Sequence, residues 1–127
     1  MDRAIASLRA TGVRRATVNA GGDLRVMGEI DQPIHVHVPG QGLRQAGFLR
    51  NGAIATSSSI ATVGRSGALD SPGSTTDRRA YSVVAPSCIV ADALTKILVQ
   101  SGEPQHPCFA RFGATAFISG DLQSVAA

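Results

Sequence analysis

Aromatic residues are scarce in this chain, with four Phe, one Tyr and no Trp. The core must therefore be assembled from Val, Ile, Leu and Ala, and the stacking platform that single-stranded nucleic-acid binders use is missing. Cysteine is equally thin. Cys88 and Cys108 are too few for a disulfide framework, and neither has a metal-type partner two to four residues away, so both are expected to be structural or idle thiols. Long hydrophobic runs are absent: no stretch reaches the roughly 18 apolar residues of a membrane span, and no apolar signal core follows Met1. As written, the sequence predicts a soluble, cytoplasmic chain. There is no Lys/Arg run either, only the pairs Arg14-Arg15 and Arg78-Arg79 among scattered arginines, which argues against nucleic acid as partner. The formal charge of +3 leaves a mildly basic surface suited to a phosphate-bearing ligand.

What is present fits one domain over residues 1–127. With 43% apolar residues, a chain of this length buries about two-thirds of its unfolded surface. The centre of its organisation is Ala16 to Val26, a β-branched run, then Gly21-Gly22, then Asp23 and a second alternation. Paired glycines accept φ > 0 and leave room for close approach, so the segment reads as strand, tight turn, strand. A plain turn and a ligand-cradling loop both fit it.

Ahead of the turn, Asp2 is expected to cap a helix over Arg3 to Ala10 that Gly12 stops, with Ile5 and Leu8 facing a strand from Val13 to Asn19. Beyond it, Leu24 to Met27 is a strand, and Ile34-His35-Val36-His37-Val38 alternates strictly, which places the two histidines on a solvated face. Two histidines at i, i+2 can chelate zinc, but no further ligand lies nearby in the sequence. Pro39 to Gly42 is a turn, and Asn51-Gly52 predicts a hairpin between Phe48–Arg50 and Ala53–Ser57. Residues 57–77 form a long polar segment, expected to be a flexible loop. Tyr81 to Ala85 is a strand, followed by a helix capped by Ser87 and stopped by Gly102, with Ile89, Val90, Ala93, Leu94, Ile97 and Leu98 as its apolar stripe. Asp92, Thr95 and Lys96 fall opposite. A short helical piece over His106–Phe112 and a strand over Ala114–Ser119 close the chain. The expected fold is α/β (α+β), a mixed or antiparallel sheet backed by two main helices.

On that second helix Asp92 and Thr95 stand about 60° apart, close enough for a carboxylate and a hydroxyl to share one hard cation. Asp92 and Lys96 at i, i+4 equally make an ordinary surface ion pair, which spacing alone favours.

Taken together, Asp2-Arg3-Ala4, the run Val18 to Gly28, Asn51 to Ser57, Ser82 to Pro86 and Ala91-Asp92-Ala93-Leu94-Thr95-Lys96 resemble, in order and spacing, the C-terminal part of the ApbE family of FAD:protein FMN transferases. The resemblance runs from Met1 to about Ser119, something under half of a full-length member, so the chain looks like a piece of a larger protein. It implies a magnesium-dependent enzyme that splits FAD and attaches FMN to a threonine hydroxyl of a client protein. Asp92 then falls on the family's metal-binding aspartate. Many members carry a threonine four residues later, where this chain has Lys96, with Thr95 one step early. Three alternatives follow: Thr95 serves as metal ligand, Lys96 contacts phosphate, or metal binding is lost. The family's His-Ile-Ile-Asp-Pro pattern, whose histidine is a candidate base, is replaced by Gly67-Ala68-Leu69-Asp70, so Gly67 stands in the histidine's place and the catalytic residue is unknown. Gly21, Gly22, Thr56, Ser57 and Asp70 would build one wall of the cofactor site. The residues that hold the flavin ring lie mostly upstream of Met1 in the family. The alternative function is therefore a non-catalytic flavin- or phosphate-binding remnant, or one half of a split enzyme completed by a separately encoded N-terminal half. Homodimerisation stays open.

Overall fold

Along the chain run α1 (Asp2–Ala10), β1 (Ala16–Ala20), β2 (Asp23–Met27), β3 (Gln32–Val38), β4 (Gly42–Leu49), β5 (Ala53–Ser58), β6 (Thr75–Asp77), β7 (Ala80–Ala85), α2 (Cys88–Ser101), α3 (Pro107–Arg111), β8 (Thr115–Ser119) and β9 (Leu122–Ser124). These elements come from a computed structural model that describes residues 1–58, 75–77, 79–120 and 122–124. β1 and β2 pair antiparallel with Ala20 opposite Asp23, which leaves Gly21 and Gly22 as a two-residue turn. Their φ values, +62° and +114°, explain why glycine occupies both positions. From this hairpin the sheet extends antiparallel in the order β1-β2-β5-β7-β8.

Both faces of the sheet are covered. Ala53, Ala55, Tyr81, Val83 and Ala85 on one face pack against Ala91, Leu94 and Leu98 of α2 and Phe109 of α3. Val26 and Ile54 on the other face pack against Ile34, Val36 and Leu49 of a second antiparallel pair, β3-β4. Strict alternation is the cause: successive strand residues point to opposite faces, and here both sets are apolar. Ile34, Val36 and Val38 are buried and His35 and His37 exposed, as the alternation predicts. A third pair, β6-β9, joins residues 75–77 to 122–124. The antiparallel α+β architecture agrees with expectation.

Several local expectations are corrected. Asn51-Gly52 does not close a hairpin: β4 pairs with β3 and β5 pairs with β2 and β7, so the dipeptide carries the chain from one sheet to the other. Asn51 takes φ +44° there, and the Gly52 carbonyl accepts the Val26 N–H at 2.8 Å. β4 starts directly after the Pro39–Gln41 turn and was not anticipated before Phe48, because Leu43 to Ala46 are all exposed and show no alternation of burial. β5 runs to Ser58 and residues 75–77 form β6, so both ends of the expected 57–77 loop are strand; its centre lies outside the described residues. The apolar stripe of α2 is rotated. Cys88, Ala91, Leu94, Thr95 and Leu98 are inward, whereas Ile89 is 74% and Ile97 41% exposed.

The largest correction concerns the helix caps. Asp2 lies inside α1, not before it, and its carboxylate reaches across the molecule to α2. The Cys88 and Ile89 amides donate to its two oxygens at 3.0 and 3.1 Å. Ser87 occupies the N-cap position of α2 but makes no side-chain cap bond, so Asp2, 86 positions before Cys88, performs its task. Arg25 of β2 approaches the same carboxylate, Nε to Oδ1 at 3.4 Å, and its Nη1 donates to the Gly52 carbonyl at 3.0 Å and to the Val26 carbonyl.

Partial burial opposes ionisation of Asp2, but the Cys88 and Ile89 amides, helped by Arg25, outweigh it and hold the carboxyl below its ordinary value of 3.8. A carboxyl lowered by folding contributes stability that is fully present above about pH 4 and is lost as pH falls through the folded value. Asp2→Ala is expected to cost about 1–2 kcal/mol at pH 7, the range of a lost helix cap, with a smaller difference near pH 2 and a milder effect for Asp2→Asn. Urea denaturation of the three proteins at both pH values checks this.

Candidate functional site

The Gly21-Gly22 turn stands between two recesses. On the β3-β4 side a cavity of about 330 Å³ is lined by Gly22, Asp23, Ile34, His35, Leu43 and Thr56, among others. An adjoining hollow of about 320 Å³ shares Gly22, His35, Leu43 and Thr56 and extends to His37 and Ser58. On the helix side a cleft of about 420 Å³ is bordered by Asp2, Asp23, Cys88 and Asp92. Asp23 borders both sides.

Thr56 is half-buried on β5, with its Oγ1 2.9 Å from Ser82 Oγ on the neighbouring strand. Gly22 carries no side chain, and a Cβ there would lie 3.9 Å from the Thr56 carbonyl oxygen; its glycine is demanded by φ, not by crowding. The structure thus brings Gly22 and Thr56, two of the expected cofactor-wall residues, to one cavity. Gly21 sits beside them in the turn. Ser57 alternates to the opposite face of β5, opposite Tyr81. Gly67 and Asp70 lie outside the described residues.

On α2, Asp92 lies on the rim of the acidic cleft and forms an ion pair with Lys96. Its side chain is 55% exposed. Thr95 is not beside it. The threonine is 2% exposed, and its hydroxyl donates back to the Ala91 carbonyl at 2.7 Å, with the Asp92 carbonyl at 3.0 Å. A hydroxyl committed to its own helix backbone and facing the core does not meet the Asp92 carboxylate. The expectation that Asp92 and Thr95 share the outer face is corrected: a 60° separation on the wheel was enough to put one on the rim and the other underneath.

Asp23 belongs to the turn motif, and the sequence alone does not single it out as a site residue. Burial raises its carboxyl above 3.8, and the charge of Asp92 raises it further; Lys96 and a hydrogen bond from the Thr56 amide act in the opposite direction. Alternation along β2 was the available signal, since Asp23 shares the helix-facing side with Arg25 and Met27. The facing helix position was not deducible. The charge of Asp92 raises the Asp23 carboxyl across the cleft, an electrostatic condition that a hard cation relieves, and magnesium is commonly held by one or two carboxylates together with phosphate oxygens. Asp23 and Asp92 border the same cleft, whereas the Thr95 hydroxyl is turned to its own helix backbone. Among the described residues no group of three His, Cys, Asp or Glu is arranged around one metal position.

A carboxyl raised by folding destabilises the ionised state, so stability rises as pH falls from the folded value of Asp23 towards 3.8. The Asp23 titration followed by NMR is expected to move down in Asp92→Asn and up in Lys96→Met. No movement in either variant would show that burial alone sets it.

The comparison with curated proteins and with solved structures gave no match. Against protein-family models, residues 1–118 match the ApbE family. The match takes in the glycine turn, β5 with Thr56 and the helix that carries Asp92, and over that extent the chain belongs to the ApbE family.

Proposed function

We propose that the chain forms the phosphate-side wall of a flavin transferase that moves FMN from FAD to a threonine of a client protein. The observation that carries this reading is the position of Asp23. It borders the cavity lined by Gly22 and Thr56 and also the cleft that holds Asp92, so one ligand with a ring system on one side and a pyrophosphate on the other is able to span the turn. Family membership supports the flavin class.

In the proposed reaction the client threonine hydroxyl attacks the FMN phosphorus and loses its proton to solvent, the P–O bond to the adenylate half breaks, and AMP leaves with the bridging oxygen. Such transfers depend on positioning and on neutralising phosphate charge. Asp92 and Asp23 would hold magnesium, which would supply that neutralisation. Lys96, now paired with Asp92, would turn to a phosphate oxygen. Gly21 and Gly22 would allow the ligand to approach the backbone, and Thr56 would offer a hydroxyl to it. Asp70, outside the described residues, is proposed for the same wall, whereas Ser57, on the opposite face of β5, is not part of the cavity that Gly22 and Thr56 line.

A second reading is supported by the commitment of Thr95 to the Ala91 carbonyl and of Asp92 to Lys96. In it the chain binds flavin or phosphate without turnover, or completes a site whose remainder is supplied by another polypeptide.

The 127-residue chain incubated with FAD, Mg²⁺ and a threonine-containing client peptide is expected to leave the peptide unmodified by mass spectrometry, while FAD fluorescence reports binding that Asp92→Asn weakens. Addition of the N-terminal half of a full-length ApbE protein is expected to give covalent FMN. Covalent FMN from the chain alone would refute the non-catalytic reading. Absence of both FAD binding and transfer in every arm would overturn the flavin assignment.

A further inference from the structure

At the far end of the β1-β2 hairpin from the glycine turn lies a recess of about 500 Å³, bordered by Arg9, Val13, Arg14, Arg15, Met27 and Asn51, together with Gly28 and Glu29. Four strand steps separate the Ala16–Met27 end of the hairpin from the Ala20–Asp23 end, about 13 Å at the usual rise per residue. It is a different place from the candidate flavin site. From its chemistry we infer that it is a binding site for an oligophosphate anion.

Three arginines border it. Arg9 closes the last turn of α1, and Arg14 and Arg15 precede β1. None of them makes an ion pair or a side-chain hydrogen bond with a described residue. Arg25 and Arg50, by contrast, are engaged, Arg25 with Asp2 and Arg50 with Asp31 through two hydrogen bonds of 2.8 and 2.9 Å; Arg3, Arg44 and Arg111 are as free as the recess arginines, so it is the grouping of three at one recess that distinguishes them. Glu29 is the single acid on the border, and it is turned towards Arg50 at 3.6 Å. The border thus carries three cations and one acid that is paired elsewhere, an excess of positive charge.

The floor is built, not incidental. Gly28 has φ +99°, and a Cβ there would collide with the Arg14 carbonyl oxygen and stand 3.2 Å from Arg15 Cγ. That close approach seats the Arg14-Arg15 backbone against the end of β2. The helix carbonyls that would repel an anion are occupied: Ser7, Leu8 and Arg9 accept from Thr11, Val13 and Gly12. Guanidinium forks match phosphate oxygens in pairs, and three of them suit a ligand with two or more phosphate groups. The recess is open to solvent, so a ligand there would be held by charge and not by enclosure. Val13 and Met27 add an apolar floor that would accept a base attached to the phosphates.

Isothermal titration calorimetry of the full chain with pyrophosphate, in EDTA at low salt, tests the site. One saturable site is expected, weakening as salt is raised. Arg14→Ala/Arg15→Ala, two exposed positions outside the core, is expected to lower the affinity about tenfold or more. Glu29→Gln is expected to raise it two- to threefold, roughly, by removing the rim acid, and Arg111→Ala, an exposed arginine on α3, to leave it unchanged. ADP is the second arm: tighter binding than pyrophosphate assigns a nucleotide and equal binding a free oligophosphate, and either result supports the site. Absence of saturable binding overturns the inference. So does unchanged affinity in the double variant whose circular dichroism and melting match the wild type, or an equal loss of binding in Arg111→Ala, which would show an effect of net charge and not of this recess.

Discussion

The Asp2 carboxylate is the contact on which the arrangement of layers depends. It lies in the first turn of α1, accepts the first two amides of α2, and faces the guanidinium of Arg25 in the second strand of the sheet. Three elements distant in sequence are thereby set at one point. The helix that carries Asp92 enters at the angle this contact allows, and the acidic cleft is the space left between the start of α1 and the start of α2. A helix N-terminus with unsatisfied amides beside a sheet would be costly. One shared carboxylate resolves that cost and supplies the counter-charge to an arginine that is otherwise nearly enclosed.

The sheet imposes the second constraint. Because β5 and β7 are apolar on both faces, neither can be left to solvent, and the chain covers one face with helices and the other with the β3-β4 pair. The same alternation assigns each site residue to a side. Thr56 and Ser82 belong to the β3-β4 side, Asp23 and Arg25 to the helix side. The turn at Gly21-Gly22 is the place where the two sides come within reach of one ligand, since it has no side chains to separate them.

Much of this was legible in the sequence, and the failures have physical causes. The glycine turn, the His35-Val36-His37 alternation and the boundaries of α2 were evident because each rests on local geometry. The Asp2 cap was invisible because its partners are distant along the chain, and a local cap for α1 looked adequate. Asn51-Gly52 carries a strong hairpin preference, yet the apolar demand of the β3 face for Leu49 took β4 away from β5. The rotation of α2 was missed because Ile89 and Ile97 look like core residues, whereas the small Ala91 and the self-satisfied Thr95 let the helix approach β5 and β7 more closely. For the candidate site, Gly22, Thr56 and Asp92 were identifiable as residue types in a motif. Asp23 acquires its character only from the fold, through burial and the charge of Asp92.

The route by which the chain reaches this structure follows from the long reach of that first aspartate. The β1-β2 hairpin closes over two residues and β3-β4 over three, so both are able to form early and independently. The Asp2 clasp instead joins segments 86 positions apart, and the entropy of closing such a loop delays it until the intervening strands have ordered. The first turn of α2 is therefore the last part of that helix to be secured during folding and the first to open in native fluctuations. Amide exchange at Cys88 and Ile89 reports this closure, since their hydrogens are held by a side chain and not by the helix ladder.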